Sequence, residues 1–460
     1  MFRRFLGASS AVALAAFLAV TCRGHADRPN LLLVTIETLR KDHVGETIDG
    51  VVLTPNLDDL AKRGTSFERA YSAASFTLPS LHTIATGEPP AVHRVRFWTR
   101  FGNRFKGPTL ASLLADEGYR TGFVYSAYIE LTAYPILQRG WSGADGTNRP
   151  TGFAQADADD VLRAANTWLD ANGKQPFFLW VHLFEPHTPY GPGDKFVEGL
   201  ADLADYHAAG PATFKVQDWV DKLPAGKGPA LADRLYAADV RAADFAVKQL
   251  LGELDRRGLT SKTVVCVTSD HGENLRADPE PRWDHGVSTD EQLVHVPMIW
   301  TGPGVPAARS ENAIARHLDI APTLLHFAGV DVPEGWRGRD LFGRAPPPHF
   351  AICEGTTSDH PDNPFYSVTD GETSLRLFSS VTPWRAEIRD ERRRGAPPTP
   401  VNLSSPPAEF EAWAAAWRAE AEALTQRVGE VNTSGEDQGQ LTPEQTELLK
   451  VGYMGGAQHR

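Results

Sequence analysis

Five short apolar runs alternate with helical patterns along the first 300 residues, and this alternation constrains the fold more than any other feature of the sequence. The runs cover 31–36, 122–125, 177–183, 263–268 and 296–300. Each is of strand length and nearly continuous in apolar residues, which is typical of strands buried on both faces. Amphipathic helical patterns cover 56–63, 110–117, 156–172 and 232–257. Strand alternating with helix predicts an α/β fold of stacked layers with a mostly parallel sheet.

The composition is that of an ordinary globular protein, and it excludes several classes of function. The 460 residues include 58 acidic residues against 46 Lys and Arg, which gives a net charge of −12. Nucleic acid is not expected as a partner, because its phosphates need a basic protein surface. Three cysteines are too few for a disulfide framework or a multi-cysteine zinc site. They are Cys22, Cys266 and Cys353, and Cys266 lies in an apolar run where we expect it to fill the core.

Residues 1–26 read as an export signal rather than as part of the fold. Arg3 and Arg4 precede an apolar run over 11–20 that is too short to span a bilayer comfortably. Two processing sites compete: a small-x-small pattern at 24–26, and a loose lipobox in which Cys22 would carry a lipid. Both predict an exported protein, periplasmic or extracellular, whose contact with a membrane would be only through a lipid anchor on Cys22.

The character of the sequence changes beyond about residue 343. Short strand patterns at 350–353 and 373–378 precede a Pro-rich stretch and a helical pattern over 408–427. We therefore predict three parts: the signal (1–26), a main domain (27–342), and a smaller α+β subdomain with terminal helices (343–460).

Acidic residues and a histidine directly follow two of the predicted strands. Glu37 comes after the first run, and Asp270 and His271 come after the run at 263–268. Ligands bind beyond the carboxyl ends of parallel strands, so these three side chains are expected to converge. Two carboxylates and an imidazole are a typical set of ligands for one divalent metal ion. This chemistry leaves calcium, magnesium, manganese and zinc open.

A threonine and several histidines supply the remaining candidates. Pro79 fits the first turn of a helix, which places Thr77 at or just before a helix N-terminus, where free amides favour an anion. A Thr hydroxyl that also touches the metal can lose its proton and attack a phosphorus or sulfur centre. His187, in a Pro-rich loop, could bind an anionic substrate or protonate a leaving group, and His285 is a second candidate. His182, inside the third apolar run, is either a substrate-binding residue or a core histidine.

At these motifs the sequence resembles the sulfatase family of the alkaline phosphatase superfamily. The similar blocks follow the family's order through nearly the whole chain, at 28–43, 54–67, 77–96, 184–190, 269–273, 319–323 and 448–453. The resemblance implies an alkaline-phosphatase-like three-layer α/β/α sandwich, with 27–342 as a sulfatase-like catalytic domain. It also implies a metal bound by Glu37, Thr77, Asp270 and His271, and it adds His93 as a substrate-binding residue.

Two positions depart from the usual sulfatase pattern. Sulfatases of the usual kind have Cys or Ser two residues before the proline, which is converted to formylglycine, and Arg two residues after it. Here these positions hold Thr77 and Leu81. Threonine cannot be oxidised to the aldehyde, and Ser80 lies on the wrong side of Pro79. The four implied metal ligands are instead similar to the one-metal set of phosphoethanolamine and lipoteichoic-acid transferases, which use the threonine as a direct nucleophile.

The sequence therefore predicts an enzyme that uses one divalent metal ion and a covalent threonine intermediate. The substrate would be a small anionic ester, for example on a cell-envelope glycan or lipid headgroup. We expect hydrolysis of phosphate or sulfate esters, with phosphate favoured because Thr77 replaces the formylglycine precursor. Two alternatives stay open: a transferase that moves a phospho-headgroup onto an envelope acceptor, and a binding protein of sulfatase fold with degraded catalysis.

Overall fold

The computed structural model describes most of the chain up to residue 401. The described residues are 28–96, 105–127, 134–142, 150–210, 213–224, 227–275, 283–357, 360–378, 385–391 and 398–401. The export signal with Cys22 and the helix predicted over 408–427 lie outside them and stay predictions.

The strands form one large sheet, one small sheet and a short hairpin. In chain order they are β1 (Asn30–Ile36), β2 (Thr47–Ile48), β3 (Val51–Val52), β4 (Thr65–Tyr71), β5 (Arg120–Ala127), β6 (Thr151–Ala154), β7 (Phe177–Leu183), β8 (Thr263–Ser269), β9 (Met298–Thr301), β10 (Arg309–Arg316), β11 (Ala351–Thr357), β12 (His360–Thr369), β13 (Thr373–Phe378), β14 (Arg385–Asp390) and β15 (Thr399–Val401). Within the described residues, the large sheet has eight strands in the order β10-β4-β9-β8-β1-β7-β5-β6. β9 is antiparallel to β4 and β8, and the other neighbouring pairs are parallel. The predicted α/β class with a mostly parallel sheet is confirmed.

Helices cover both faces of the large sheet. In chain order they are α1 (Pro55–Arg63), α2 (Thr77–Thr86), α3 (Pro90–His93), α4 (Leu110–Asp116), α5 (Ala158–Asn172), α6 (Asp194–Val197), α7 (Leu203–Ala209), α8 (Val216–Val220), α9 (Gly228–Arg256), α10 (Glu291–Val294) and α11 (His317–Ala328), with 3-10 turns at Lys41–His43 and Thr260–Lys262. Of the helices described, none combines the length and apolarity that a membrane span requires.

Alternation along the central strands builds two separate cores. Leu31 and Leu33 of β1 pack on one face with apolar residues of α2, α4 and α11, while Leu32 and Val34 pack on the other face with α1, α5 and α9. All residues of β1, β7 and β8 are buried. Burying each such Leu or Val stabilises the fold by about 1.5–3 kcal/mol. The three-layer α/β/α arrangement follows from this two-sided burial.

The sequence predicted some elements better than others. The bounds of β7 and β13 agree with the prediction, whereas the run predicted from Val296 begins as β9 only at Met298, because Pro297 cannot donate a ladder hydrogen bond. The polar edge strand β10 contains no continuous apolar run, so the sequence pattern did not predict it. α9 begins at Gly228, four residues before the predicted start at Ala232.

Beyond residue 343, the described residues contain a five-stranded antiparallel sheet in the order β11 to β15. Its first strand touches the main layer near the start of α2, where the Glu354 amide donates to the carbonyl of Ala73 at 2.8 Å. The Arg96 guanidinium also pairs with the Glu354 carboxylate. The small sheet therefore holds the segment that leads into Thr77. The domain boundary at 343 stays a prediction.

Both described cysteines are buried and unpaired. Cys266 packs in the core with α2, as expected, and Cys353 belongs to a different apolar cluster.

A glycine fixes the C-terminal end of α2. Gly87 has φ of 63°, and an added Cβ would lie 2.5 Å from the Trp336 ring. Gly329 ends α11 with φ of 70°, but a Cβ there would have no neighbour within 4 Å. We expect Gly329→Ala to cost about 1–2 kcal/mol for the left-handed conformation. Gly87→Ala should cost a further 1–3 kcal/mol or so for overpacking. Urea unfolding measures both, and equal losses would contradict the packing described around α2.

Candidate active site

Three strand ends of the large sheet bring polar side chains to one point. Glu37 follows the last residue of β1, Asp270 follows β8, and His182 is the penultimate residue of β7. β1 lies between β7 and β8 in parallel register, so the three residues lie at the same edge. Their side chains are fully buried, and one ligand atom from each lies within 4.8 Å of the others. The ends of the three strands thus bring Glu37 and Asp270 together, and they place His182 in the same cluster.

Buried atoms of this cluster fit a bound cation. Glu37 Oε2, Asp270 Oδ2 and His182 Nε2 are buried without a hydrogen-bond partner. Glu37 Oε2 and His182 Nε2 face each other at 3.3 Å. Leaving a buried polar atom unsatisfied costs about 1–3 kcal/mol, and folded proteins rarely do so at several neighbouring atoms. A divalent cation would satisfy all three, and two carboxylates with an imidazole suit such an ion.

The backbone after Glu37 is strained. Thr38 has φ of 57°, in the left-handed region that a β-branched residue disfavours. Its amide donates to Asp270 Oδ1 at 3.0 Å, and its carbonyl accepts from the Tyr236 hydroxyl at 2.7 Å. Strain of this kind costs roughly 1–3 kcal/mol and persists only where surrounding contacts enforce it. The result is a fixed position of Glu37 relative to Asp270.

Thr77 lies between the carboxylate and a second histidine. It is the first residue of α2, as Pro79 predicted, and its hydroxyl donates to Glu37 Oε1 at 3.0 Å. Thr77 Oγ1 is also 3.2 Å from His271 Nε2. By contrast, the Ser80 hydroxyl donates to the carbonyl of Ala74, away from this cluster. Leu81, at the position of the usual arginine, is buried in the core on the α2 face.

His271 presents a lone pair to this cluster. Its Nδ1 lies 2.7 Å from the carbonyl of Gly272, which requires a proton on Nδ1 and leaves Nε2 as the acceptor in the neutral ring. Burial lowers the pKa of His271 and favours that neutral form. His271 Nε2 lies 3.4 Å from Asp270 Oδ2. The ring therefore has the orientation that a metal-binding histidine needs, held by a backbone carbonyl.

The surroundings of Glu37 favour its charged form. Burial acts to raise the pKa of Glu37, but His187, His182 and His271 together lower it below the usual value.

Thr35 orients the His182 ring, because Thr35 Oγ1 lies 2.8 Å from His182 Nδ1 and also accepts from Trp180 Nε1 at 2.9 Å.

Two further histidines complete a cluster of rings. His187 Nε2 lies 4.0 Å from Glu37 Oε1, and its Nδ1 faces the carbonyl of Thr188 at 2.6 Å. The His285 ring lies 5.1 Å from that of His187 and 4.6 Å from that of His271, measured between centroids. Burial lowers the pKa of His187 and of His285. His187 thus lies beside Glu37, and His285 lies beside the His187 and His271 rings.

Glu273 lies in the site, although no role was predicted for it from the sequence. It is buried, its Oε1 lies 3.2 Å from His285 Nδ1, and its Oε2 accepts from the Tyr190 hydroxyl at 3.3 Å. Burial raises the pKa of Glu273 to about 7. In the sequence, a site role of Glu273 is indicated only by its position two residues after His271, in the block at 269–273. The partners come from other segments, so only the fold identifies them.

His93 is not brought into this cluster. Its ring is fully buried behind α2, with Nε2 3.1 Å from Thr83 Oγ1 and Nδ1 accepting from the Val95 amide at 3.1 Å. Both ring nitrogens are therefore engaged in packing α2 against the segment that follows it. No contact with Thr77 or Glu37 accompanies them in the described part of the chain, and a substrate-binding role for His93 stays a prediction.

The three-layer α/β/α fold is the one that the resemblance to the alkaline phosphatase superfamily implies, and the Glu37–His182–Asp270 cluster lies at the edge of its sheet. A family model described as Sulfatase matches residues 29–330, well over half of the chain. The chain belongs to the sulfatase family.

Individual relatives are distant. The chain is 26% identical over 344 residues to an ulvan-active sulfatase from Formosa agariphila, an alignment that covers 68% of this chain and 64% of that protein. The chain therefore spans less than two thirds of the length of this relative.

Solved structures share the fold at low identity. BT4656 in complex with its substrate D-glucosamine-2-N,6-O-disulfate has a TM-score of 0.63 at 19% identity, with 88% of this chain and 98% of that chain covered. The phosphonate monoester hydrolase SpPMH from Silicibacter pomeroyi has a TM-score of 0.62 at 20% identity, with 88% and 96% covered.

The cluster predicts how a single isosteric change affects metal binding. In Asp270→Asn the Oδ1 atom can still accept from the Thr38 and His271 amides, but the other position becomes an NH₂ group that repels a cation. We expect metal affinity to fall at least about tenfold, on the scale of changes around metal sites. Titration calorimetry of EDTA-stripped protein with calcium, magnesium, manganese and zinc measures it.

Asp244→Asn is the matched control for this measurement. Asp244 is a buried aspartate of α9 whose carboxylate accepts from the Asn56 and Leu57 amides. It should bind metal as the unmodified protein does. Unchanged affinity in Asp270→Asn would remove Asp270 from the ligand set.

Proposed function

We propose that this sulfatase-family protein is a metal-dependent hydrolase that transfers the phosphoryl group of a phosphate ester to Thr77 and then to water. The observation that supports this is the Thr77 hydroxyl, 3.0 Å from Glu37 Oε1 and 3.2 Å from His271 Nε2. Usual sulfatases have the formylglycine precursor at this position. Threonine cannot form that aldehyde, so the hydroxyl itself is the nucleophile.

The first half of the reaction uses groups already in contact. Thr77 Oγ1 attacks phosphorus in line with the ester oxygen, and the charged Glu37 carboxylate accepts the hydroxyl hydrogen. The bond from phosphorus to the leaving oxygen breaks, and His187 or His285 donates a proton to that oxygen. An anionic ester beside these rings raises their pKa and so opposes the effect of burial. Water then gives a proton to the same histidine and attacks phosphorus, the bond from phosphorus to Thr77 Oγ1 breaks, and Oγ1 takes back its hydrogen from Glu37 as phosphate leaves.

Two features would stabilise the charge on the transferring group. The N-terminus of α2 places the helix dipole and its first amides beside Thr77. A divalent cation would be held by Glu37, Asp270 and His271, and also by His182, which lies in the same cluster. Such a cation would screen negative charge and lower the pKa of the attacking hydroxyl.

The proposed substrate is a small anionic ester. The same fold occurs in BT4656, solved with its substrate D-glucosamine-2-N,6-O-disulfate, and in a phosphonate monoester hydrolase, so both sulfate esters and phosphorus esters suit it. An ester on a cell-envelope glycan or lipid headgroup would agree with the export signal predicted over 1–26.

A transferase that moves a phospho-headgroup onto an envelope acceptor is the second candidate. It would use the same attack by Thr77, with an acceptor hydroxyl in place of water. A lipid on Cys22 would favour it by holding the enzyme at a membrane, and mass spectrometry of the mature N-terminus distinguishes a lipidated Cys22 from cleavage after Ala26.

A binding protein with degraded catalysis is the weaker alternative. A decayed site has no need to retain the Thr77 hydroxyl 3.2 Å from His271 Nε2, or three buried unsatisfied ligand atoms.

Replacement of the nucleophile tests the proposal. Thr77→Ala should lower turnover of a phosphate ester at least about 10³-fold, because the attacking oxygen is lost. Metal affinity should stay largely intact, since Glu37, Asp270 and His271 remain. Steady-state kinetics and calorimetry on the same preparation measure the two effects.

Ser80→Ala is the control, because it removes a neighbouring hydroxyl that binds Ala74 rather than the site. It should retain most of the activity. Robust turnover by purified Thr77→Ala would end the proposed role of Thr77.

A further inference from the structure

The turn that follows β1 is held by the hydroxyl of a residue from a distant part of the chain. Tyr236 lies on α9 and is fully buried. Its hydroxyl donates to the carbonyl of Thr38 at 2.7 Å and accepts from the amide of Arg40 at 3.1 Å. One side-chain oxygen thus bridges the two backbone groups that flank Leu39 in the chain.

Both backbone groups lie in a part of the molecule from which water is largely excluded. Thr38 is fully buried and Arg40 is 8% exposed. A buried carbonyl or amide needs a hydrogen-bond partner, and here the Tyr236 hydroxyl is a partner to both. If that oxygen is removed, the carbonyl of Thr38 and the amide of Arg40 need other partners, which requires the backbone to move.

The conformation of Thr38 is enforced from both sides. Its amide donates to Asp270 Oδ1 at 3.0 Å, while its carbonyl accepts from Tyr236. These two hydrogen bonds fix the peptide planes before and after the Thr38 Cα, and with them its φ of 57°. A β-branched residue disfavours this left-handed conformation, so loss of either contact lets the turn relax. Because Glu37 directly precedes Thr38, its carboxylate moves with the turn.

The ring of Tyr236 has packing contacts of its own. It lies edge-on to His43 at 5.1 Å and to Tyr190 at 5.7 Å, measured between ring centroids. A phenylalanine at this position keeps the ring and these contacts. The contribution of the hydroxyl can therefore be measured separately from that of the ring.

We propose that Tyr236 is a positioning residue for the metal site. Its hydroxyl holds the strained turn at Thr38 and thereby keeps the Glu37 carboxylate close to His182 and Asp270, where the three ligand atoms lie within 4.8 Å of one another. This rests on the metal site of the proposed function. Metal affinity would then depend on a hydroxyl of α9 that is not itself a ligand.

Removal of the hydroxyl alone tests this proposal. In Tyr236→Phe we expect metal affinity to fall at least about tenfold, on the scale of changes around metal ligands. Titration calorimetry of the EDTA-stripped full chain with calcium, magnesium, manganese and zinc measures the loss. The rise in Tm on addition of each ion is a second measurement, and it should be smaller in this variant. Unchanged affinity in Tyr236→Phe would overturn the proposal.

Tyr119→Phe is the matched control. The Tyr119 side chain is 3% exposed, and its hydroxyl donates at 3.1 Å to the carbonyl of Pro29, directly before the first residue of β1. The control therefore removes a hydrogen bond of the same kind from the opposite end of the same strand. Its Tm should fall while its metal affinity stays as in the unmodified protein. An equal loss of affinity in both variants would reveal general destabilisation and would overturn the positioning role.

A second substitution tests whether the hydroxyl acts through the strained turn. Glycine adopts a φ of 57° without enforcement, so Thr38→Gly should make the turn less dependent on Tyr236. In the Thr38→Gly background we expect the loss of metal affinity caused by Tyr236→Phe to be at least about threefold smaller. The same loss in both backgrounds would contradict the action of Tyr236 through Thr38.

These binding measurements involve no turnover, which separates this inference from the proposed reaction. Metal binding that depends on Tyr236, in a protein that hydrolyses no phosphate ester, would support the positioning role and contradict the reaction. Metal-dependent hydrolysis with equal metal affinity in Tyr236→Phe would do the reverse. An unmodified protein that binds none of the four ions would overturn both.

Discussion

The parallel pairing of β1 with β7 and β8 is the constraint on which the rest of the site depends. It brings Glu37, His182 and Asp270 from three distant segments to one buried point. Burial there is possible because apolar residues fill both faces of the sheet, and it leaves three ligand atoms without hydrogen-bond partners. The free energy lost at these atoms is offset only if something binds them. A divalent cation bound at this position would satisfy all three atoms, and this supports the metal-dependent chemistry proposed above.

Thr77 depends on the same packing. α2 is buried along its whole length, Gly87 closes its end against Trp336, and the small sheet holds the segment before it through Glu354. The Thr77 hydroxyl consequently has one position, between Glu37 and His271. Side chains that face elsewhere on α2 belong to the core, and Leu81 is one of them. Thr77 and Leu81, the two positions that depart from the usual sulfatase pattern, thus lie on one helix, one in the site and one in the core.

The sequence predicted those parts of the molecule that local patterns determine. Continuous apolar runs predicted the bounds of β1, β7 and β8 to within about one residue, and Pro79 predicted where α2 begins. The polar edge strand β10 had no such pattern, because an edge strand need not be apolar on both faces. His182 looked like either a core or a binding residue, and only the register of β7 against β1 places its Nε2 opposite Glu37. Glu273 could not be assigned, because its partners Tyr190 and His285 are joined to it by the fold alone.

The central claim is that a threonine hydroxyl, in place of formylglycine, makes this a phosphate ester hydrolase. Hydrolysis of 4-nitrophenyl sulfate, 4-nitrophenyl phosphate and a 4-nitrophenyl phosphodiester by EDTA-stripped protein tests it most directly. Calcium, magnesium, manganese and zinc are each added back to the same preparation. We predict metal-dependent hydrolysis of a phosphate ester at a rate well above that of the sulfate. Activity on the sulfate alone would contradict the role given to Thr77.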